Sequence, residues 1–178
     1  GDIITAGTEG NMVNTRTYRC YLDGMLRDAG VSFDLVGSQW QMAEGRTDYR
    51  CPHDFDSDHE AYAGGAGEAG GQRTIDQMAL IVPRQVERFQ PDVALVYLGI
   101  VDLLGEGLGA DPESTTTPEQ AATSLAAFIA RLQEAKPDLT ILVAQIAPCV
   151  RTGWSGCEEG LRAYNQLVGG FHNLSTET

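Results

Sequence analysis

The segment HDFDSDHE, residues 53 to 60, concentrates side chains that could do chemistry. A histidine beside an aspartate can act as an oriented general base, and Ser38, at the end of a predicted strand, could be its nucleophile. Alternating carboxylates also suit a calcium loop, although His59 stands where an EF-hand needs glycine. Nothing in the spacing places these groups against one another. A solvated polar loop therefore stands beside both chemical interpretations, and we predict no metal site.

A glycine-rich stretch and two tryptophans are further candidates for ligand binding. GGAGEAGG, residues 64 to 71, is too irregular for a phosphate-binding loop and no Lys-Ser/Thr follows it, so we predict no nucleotide and no cofactor. Trp40 and Trp154 fall in predicted loops near strand ends, where they could stack on sugar rings together with His59. The alternative for both tryptophans is that they close the edge of a core.

Helical and extended patterns alternate along the chain. We predict helices over 15–29, 74–89, 117–136 and 158–171, and strands over 31–38, 91–99 and 139–148. Pro83 should break the second helix, and Thr117 with Pro118 should start the third. The apolar run 91–99 is typical of a strand covered on both faces.

This alternation predicts an α/β fold, a parallel sheet flanked by helices, with the site beyond the carboxyl ends of the strands. In the first helix, the apolar spacing of Tyr18, Tyr21, Leu22 and Met25 predicts the buried face.

Charge and length restrict the classes of function. The 178 residues carry 12 Lys+Arg against 25 Asp+Glu, a net charge of −13 that disfavours nucleic acids and anionic membrane surfaces. No apolar stretch approaches the roughly 18 residues that a membrane span needs, and no signal peptide precedes Gly1. We expect a single domain over residues 1–178, soluble, with any export signal either already removed or outside these residues.

Four cysteines suggest an oxidising compartment. Cys149 and Cys157 bracket a short loop and are the favoured disulfide pair, which leaves Cys20 with Cys51. The alternative is four buried free thiols in a cytosolic protein. The acidic balance and a glycosylation sequon at Asn173 favour secretion.

Several stretches together resemble the SGNH or GDSL hydrolase family, and most closely its secreted carbohydrate esterases, which include acetylxylan esterases. The matching stretches, in family order, are GDxITAG, TYRCYLDGMLRDAGVSFDLVGSQW (17–40), DSDHEAYAGG (56–65), TIDQM (74–78), PDVALVYLGIVD (91–102) and AYNQLV (163–168). The resemblance implies a three-layer, flavodoxin-like α/β sandwich and ester hydrolysis by a serine mechanism without metal or cofactor.

The resemblance also assigns site positions. The family's serine nucleophile falls on Ile3, next to a matching Asp2, and its oxyanion asparagine falls on Val101, next to a matching Asp102. Asp102 is either part of that site or a plain strand-end cap. Gly71 could be the oxyanion glycine after a shift of one residue. Neither isoleucine nor valine can attack a carbonyl or donate to an oxyanion. The closing DxxH motif has no counterpart before Thr178, and His172 lies too early to replace its histidine.

By this comparison we expect the family's first and last strands to be absent from these 178 residues, either because the natural protein is longer, because another chain supplies the strands, or because the remaining strands repack. We expect an esterase homologue for acetylated polysaccharide, catalytically defective at positions 3 and 101. The alternative is a non-catalytic protein that binds glycan or self-associates to complete its sheet between chains.

Overall fold

A computed structural model describes residues 18–38, 74–104, 116–148 and 157–170. The elements in these ranges, in chain order, are α1 (Tyr18–Asp28), α2 (Ile75–Ala79), α3 (Val82–Phe89), β1 (Val93–Val96), α4 (Ile100–Leu104), α5 (Pro118–Ala135), β2 (Thr140–Val143) and α6 (Cys157–Val168). Within them no helix is long and apolar enough to cross a membrane. The chain divides into two compact units, Gly1–Gln72 and Arg73–Thr178. The assignment of one domain to residues 1–178 stays a prediction.

Helix α1, in the first unit, buries a different face from the predicted one. Arg19, Cys20 and Asp23 are buried, whereas Met25 is 70% exposed. Asp23 is accommodated because the Arg27 guanidinium lies 2.8 Å from its carboxylate, one turn further along the helix. The predicted helix is confirmed, but the apolar spacing pointed to the wrong side of it.

Cys20 and the segment after α1 complete the description of the first unit. Cys20 is disulfide-bonded, and its partner falls among cysteine side chains outside the described residues, so both pairings stay predictions. Residues 31–38 form no strand, contrary to the sequence prediction. At the start of this segment the Val31 amide donates back to the Leu26 carbonyl, at 2.9 Å, which closes the end of α1.

The second unit contains a parallel pair of strands. β1 and β2 pair in register from Val93 opposite Thr140 to Val96 opposite Val143. The described part of the sheet has these two strands. The α/β class, with a small parallel sheet and flanking helices, is confirmed.

Local sequence signals account for the helix boundaries of this unit. Thr74 and Thr117 each form a capping box. The threonine side chain accepts a hydrogen bond from the amide three residues later, and the glutamine side chain at that later position accepts one from the threonine's own amide. The predicted break near Pro83 is confirmed, because α2 ends at Ala79 and α3 begins with this proline in its first turn.

One face of the strand pair is exposed. Val93 is 49% exposed, Leu95 44% and Leu142 53%, and alternation together with the register places these side chains on the same face. The prediction that 91–99 is covered on both faces is therefore wrong, and the regular strand stops at Val96. The buried residues include Val96 at the end of β1, at 5% exposure, and Leu125, Phe128 and Leu132 of helix α5.

Candidate functional site

The carboxyl end of β1 turns sharply at Gly99 under an aromatic ring. Gly99 has φ +119°, a region open mainly to glycine, and a Cβ at this position would lie 2.7 Å from the ring of Tyr164. The hydroxyl of Tyr164, a residue of α6, donates to the Leu98 carbonyl at 2.9 Å. Because the ring fills the space above residue 99, the turn into α4 needs both a glycine and this tyrosine.

Asp102, on the next helix, ties the turn to α2. Its two carboxylate oxygens lie 3.2 and 3.1 Å from the Ile75 amide nitrogen, and the residue is 6% exposed. Its carbonyl accepts from the Thr116 amide at 2.9 Å. A helix start leaves amides without intrahelical partners, so a buried carboxylate at this point satisfies one of them.

Val101 lies between these two tethered residues and is 1% exposed. The position to which the resemblance assigns the family's asparagine is thus held by a hydrocarbon side chain with almost no access to solvent. A valine offers no hydrogen-bond donor. The backbone on either side of Val101 is therefore fixed by hydrogen bonds and packing, but the Val101 side chain itself cannot donate a hydrogen bond to a substrate.

Beyond the carboxyl end of β2, a side chain of α6 bonds both backbone groups of one residue. Asn165 of α6 accepts from the Ile146 amide at 2.8 Å through Oδ1, and its Nδ2 donates to the Ile146 carbonyl at 2.7 Å. The Gln145 side chain donates to the Asn165 carbonyl at 2.9 Å, and the Ala147 amide donates to the Tyr97 hydroxyl at 3.0 Å. The two strand ends are therefore held by side chains from α6 and from β1's own extension.

Sequence reasoning gave no role to four polar residues described at this edge, Tyr97, Gln145, Tyr164 and Asn165. Tyr164 and Asn165 stood in the AYNQLV stretch used for the resemblance, which was the available signal. Tyr97 interrupts an otherwise apolar run, which was a weaker one.

The other site positions predicted from the sequence lie outside the residues that the structure describes. Asp2, Ile3, Trp40, His59, Gly71 and Trp154 lie outside the described residues, as do Cys51 and Cys149 and the side chain of Cys157. Over the described ranges, no three His, Cys, Asp or Glu side chains are grouped closely enough to hold a metal ion. The assembled part of the candidate site is the Gly99–Asp102 turn with its tethers.

Solved structures with a similar fold are carbohydrate esterases. A family 3 carbohydrate esterase from Clostridium thermocellum is 28% identical, with a TM-score of 0.65, over 98% of this chain and 68% of that chain. An acetyl esterase mutant crystallised with acetate ion and a family 3 carbohydrate esterase from Talaromyces cellulolyticus are each 18% identical, with TM-scores of 0.67 and 0.66, and cover 93% of this chain and 70% of theirs.

A comparison with curated proteins returned no match. The sequence model of the GDSL-like Lipase/Acylhydrolase family matches residues 1–173. That range contains the glycine turn, the buried Asp102 and the tyrosine and asparagine of α6. With nearly the whole sequence matched and the fold shared with esterases of known structure, the chain belongs to the GDSL-like lipase/acylhydrolase family.

Proposed function

We propose that this chain is a homologue of carbohydrate esterases for acetylated polysaccharide whose own hydrolytic centre is defective. The observation that carries the proposal is Val101, an apolar side chain buried to 1% exposure within an otherwise retained Gly99–Asp102 turn. The esterases among the structural neighbours support the substrate class, and the tethered turn supports descent from a working site.

The expected loss of rate is large. Removal of one oxyanion donor in a hydrolase typically costs about a hundredfold to a thousandfold in kcat. Ile3 removes the nucleophile as well. Because nucleophile and oxyanion donors act as a unit, the combined loss of rate is not the product of two separate losses. Because neither Ile3 nor Val101 carries a polar side-chain atom, no change of protonation or rotamer restores the missing group.

The test is acetate release from p-nitrophenyl acetate and from acetylated xylan. We expect the purified chain to release acetate no faster than buffer. The variant Ile3→Ser with Val101→Asn should exceed the parent only if a catalytic base is present elsewhere in the protein, since the restored serine needs one. Val101→Asn alone should not exceed the parent, because it still lacks a nucleophile. Turnover by the parent that exceeds buffer and persists in Ile3→Ala would show that another residue is the nucleophile, or that the site is not defective at these positions.

A second candidate is a non-catalytic protein that self-associates. The exposed apolar face of Val93, Leu95 and Leu142 favours this candidate, because contiguous apolar surface often marks an interface. Light scattering after size exclusion distinguishes it. A dimer or larger species that dissociates on Leu142→Asp would support self-association through this face, and a monomer at all concentrations would exclude it.

We further propose an extracellular location. The disulfide at Cys20 supports it, since disulfides persist in oxidising compartments. Mass mapping of protein recovered from the medium and from the cells of its source tests this location. Recovery from the cytosol alone, with reduced cysteines, would contradict it.

A further inference from the structure

Backbone pairing between the two strands ends before the site is reached. The last residue pair is Val96 opposite Val143, followed by a bond of 2.9 Å from the Ala144 amide to the Val96 carbonyl. Beyond that bond, the Ala147 amide reaches the Tyr97 hydroxyl and no longer a backbone carbonyl. Among the described residues, side chains therefore contribute to placing the strand extensions that carry the candidate site.

Two consecutive residues of α6 supply most of those contacts. Tyr164 binds the Leu98 carbonyl, and Asn165 binds both backbone groups of Ile146. Neighbouring residues on a helix point about 100° apart, so a single turn of α6 can reach both strand ends at once. Asn165 offers Ile146 one acceptor and one donor, as the backbone of a further strand would.

Helix α6 is itself packed against two helices of the second unit. It packs on α5, the long core helix, and on α4, the helix that begins just after Gly99. Tyr164 is completely buried, and its ring leaves no room for a side chain at residue 99. A displacement of this ring would release the turn, because the Leu98 carbonyl and the Gly99 backbone both contact it.

We propose that Tyr164 and Asn165 are positioning residues that determine where position 101 lies relative to the end of β2. The assignment of position 101 to the oxyanion site rests on the proposed function, but the positioning does not depend on activity. Over the described ranges, these two side chains bond the strand extensions just beyond the point where the pairing of β1 with β2 ends. The last helix, and not the strand pair alone, sets the geometry of the strand-end edge.

The reactivity of a cysteine thiol introduced at position 101 measures whether Tyr164 holds this position in its buried place. Val101→Cys should react slowly with N-ethylmaleimide in the otherwise unchanged protein, because the parent residue is 1% exposed. Adding Tyr164→Phe, which keeps the ring and removes only the hydroxyl, should raise the labelling rate about tenfold, as expected when a buried carbonyl loses its partner. Peptide mass analysis separates this label from those on the native cysteines.

Amide hydrogen exchange reports the second strand end. Asn165→Leu should raise the exchange rate of the Ile146 amide about tenfold, and the Lys136 amide, bonded to Leu132 at 3.0 Å, is the internal reference. Leu132→Val is the matched control, because it trims a buried side chain far from the candidate site. Lys136, one turn after Leu132, marks the opposite end of the strands, where its ammonium pairs with Asp92.

Local repositioning and general loss of stability differ in their response to urea. Local opening is nearly independent of low urea concentrations, whereas global unfolding exposes much surface and depends on them steeply. The proposal requires urea-independent acceleration in Tyr164→Phe and Asn165→Leu that Leu132→Val does not reproduce. It is overturned by acceleration that follows urea, by equal acceleration in Leu132→Val, or by rates within about twofold of the parent. These readouts need no hydrolysis, so they decide the positioning even if Ile3→Ser with Val101→Asn stays inactive.

Discussion

Both carboxylate oxygens of Asp102 accept a hydrogen bond from the backbone amide of Ile75, at 3.2 and 3.1 Å, and the two residues are 27 positions apart in the sequence. The contact is buried and joins the turn after β1 to the first residue of α2. The sequence left open whether Asp102 is a strand-end cap or part of a site. Its contacts make it a tether, which also holds Thr116 through its carbonyl.

Removal of the Asp102 carboxylate should destabilise the second unit. Asp102→Ala leaves the buried Ile75 amide without its partner, and we expect a loss of about 1–3 kcal/mol in the free energy of unfolding. Asp102→Asn keeps one acceptor oxygen and should cost less. Urea unfolding followed by far-ultraviolet circular dichroism measures both. The control is Asp138→Ala, whose exposed pair with Lys136 is worth less than about 1 kcal/mol; equal losses for the two alanine variants would contradict the tether.

Gly99 should not tolerate a methyl group. Gly99→Ala forces a Cβ to 2.7 Å from the Tyr164 ring at a positive φ, so we expect a loss of at least about 2 kcal/mol from strain and overpacking. Gly160→Ala is the control in α6, where a Cβ meets nothing within 4 Å. That change should stabilise by about 0.5–1 kcal/mol through helix propensity. Thermal unfolding of the two variants should therefore shift in opposite directions.

Asn165→Asp should make stability depend on pH. A neutral carboxylic acid can accept from the Ile146 amide and donate to its carbonyl, as the amide does, whereas the carboxylate faces that carbonyl with like charge. Folding thus favours the protonated form and raises the pKa of the introduced group above about 3.9. Its stabilising contribution is complete below that value and is lost as pH rises through the folded-state pKa. Differences from the parent between pH 3 and 8 measure this, and Asn165→Leu should show a loss independent of pH.

Val101→Asn should lower stability by itself. A buried amide without partners costs about 1–3 kcal/mol in proteins, and a loss of 1 kcal/mol corresponds to a Tm decrease of about 2–4 °C at this size. The control Val31→Asn changes a valine that is 47% exposed and should stay within about 0.5 kcal/mol of the parent. An unchanged Tm in Val101→Asn would mean that a polar partner for the amide is already present.

The exposed sheet face should tolerate polar substitution. Leu142→Thr replaces a side chain that is 53% exposed with a β-branched residue, so we expect a change within about 0.5 kcal/mol. Leu98→Ala removes a buried side chain and should cost about 2–5 kcal/mol. Chemical unfolding of both variants is the measurement. A loss in Leu142→Thr as large as that in Leu98→Ala would show that this face is covered in solution.

Much of the helical structure could be predicted because its signals are local. The cap at Thr117 and the break at Pro83 each depend on residues within one or two turns, and the structure confirms both. The strand prediction for 31–38 was wrong for the complementary reason. A strand requires regular pairing with another strand, and a local apolar pattern does not specify whether that pairing forms.

The sequence by itself determined the family, through motifs that extend along nearly the whole chain, and the lack of a polar side chain at positions 3 and 101. Those are properties of residue identity and order. The tertiary structure alone decided which face of α1 and of the strand pair is exposed. It also decided that Tyr164 reaches Leu98 across 66 residues and Asn165 reaches Ile146 across 19. Burial and long-range hydrogen bonds depend on which surfaces meet in space, and apolar spacing within one element carries no information about its partner.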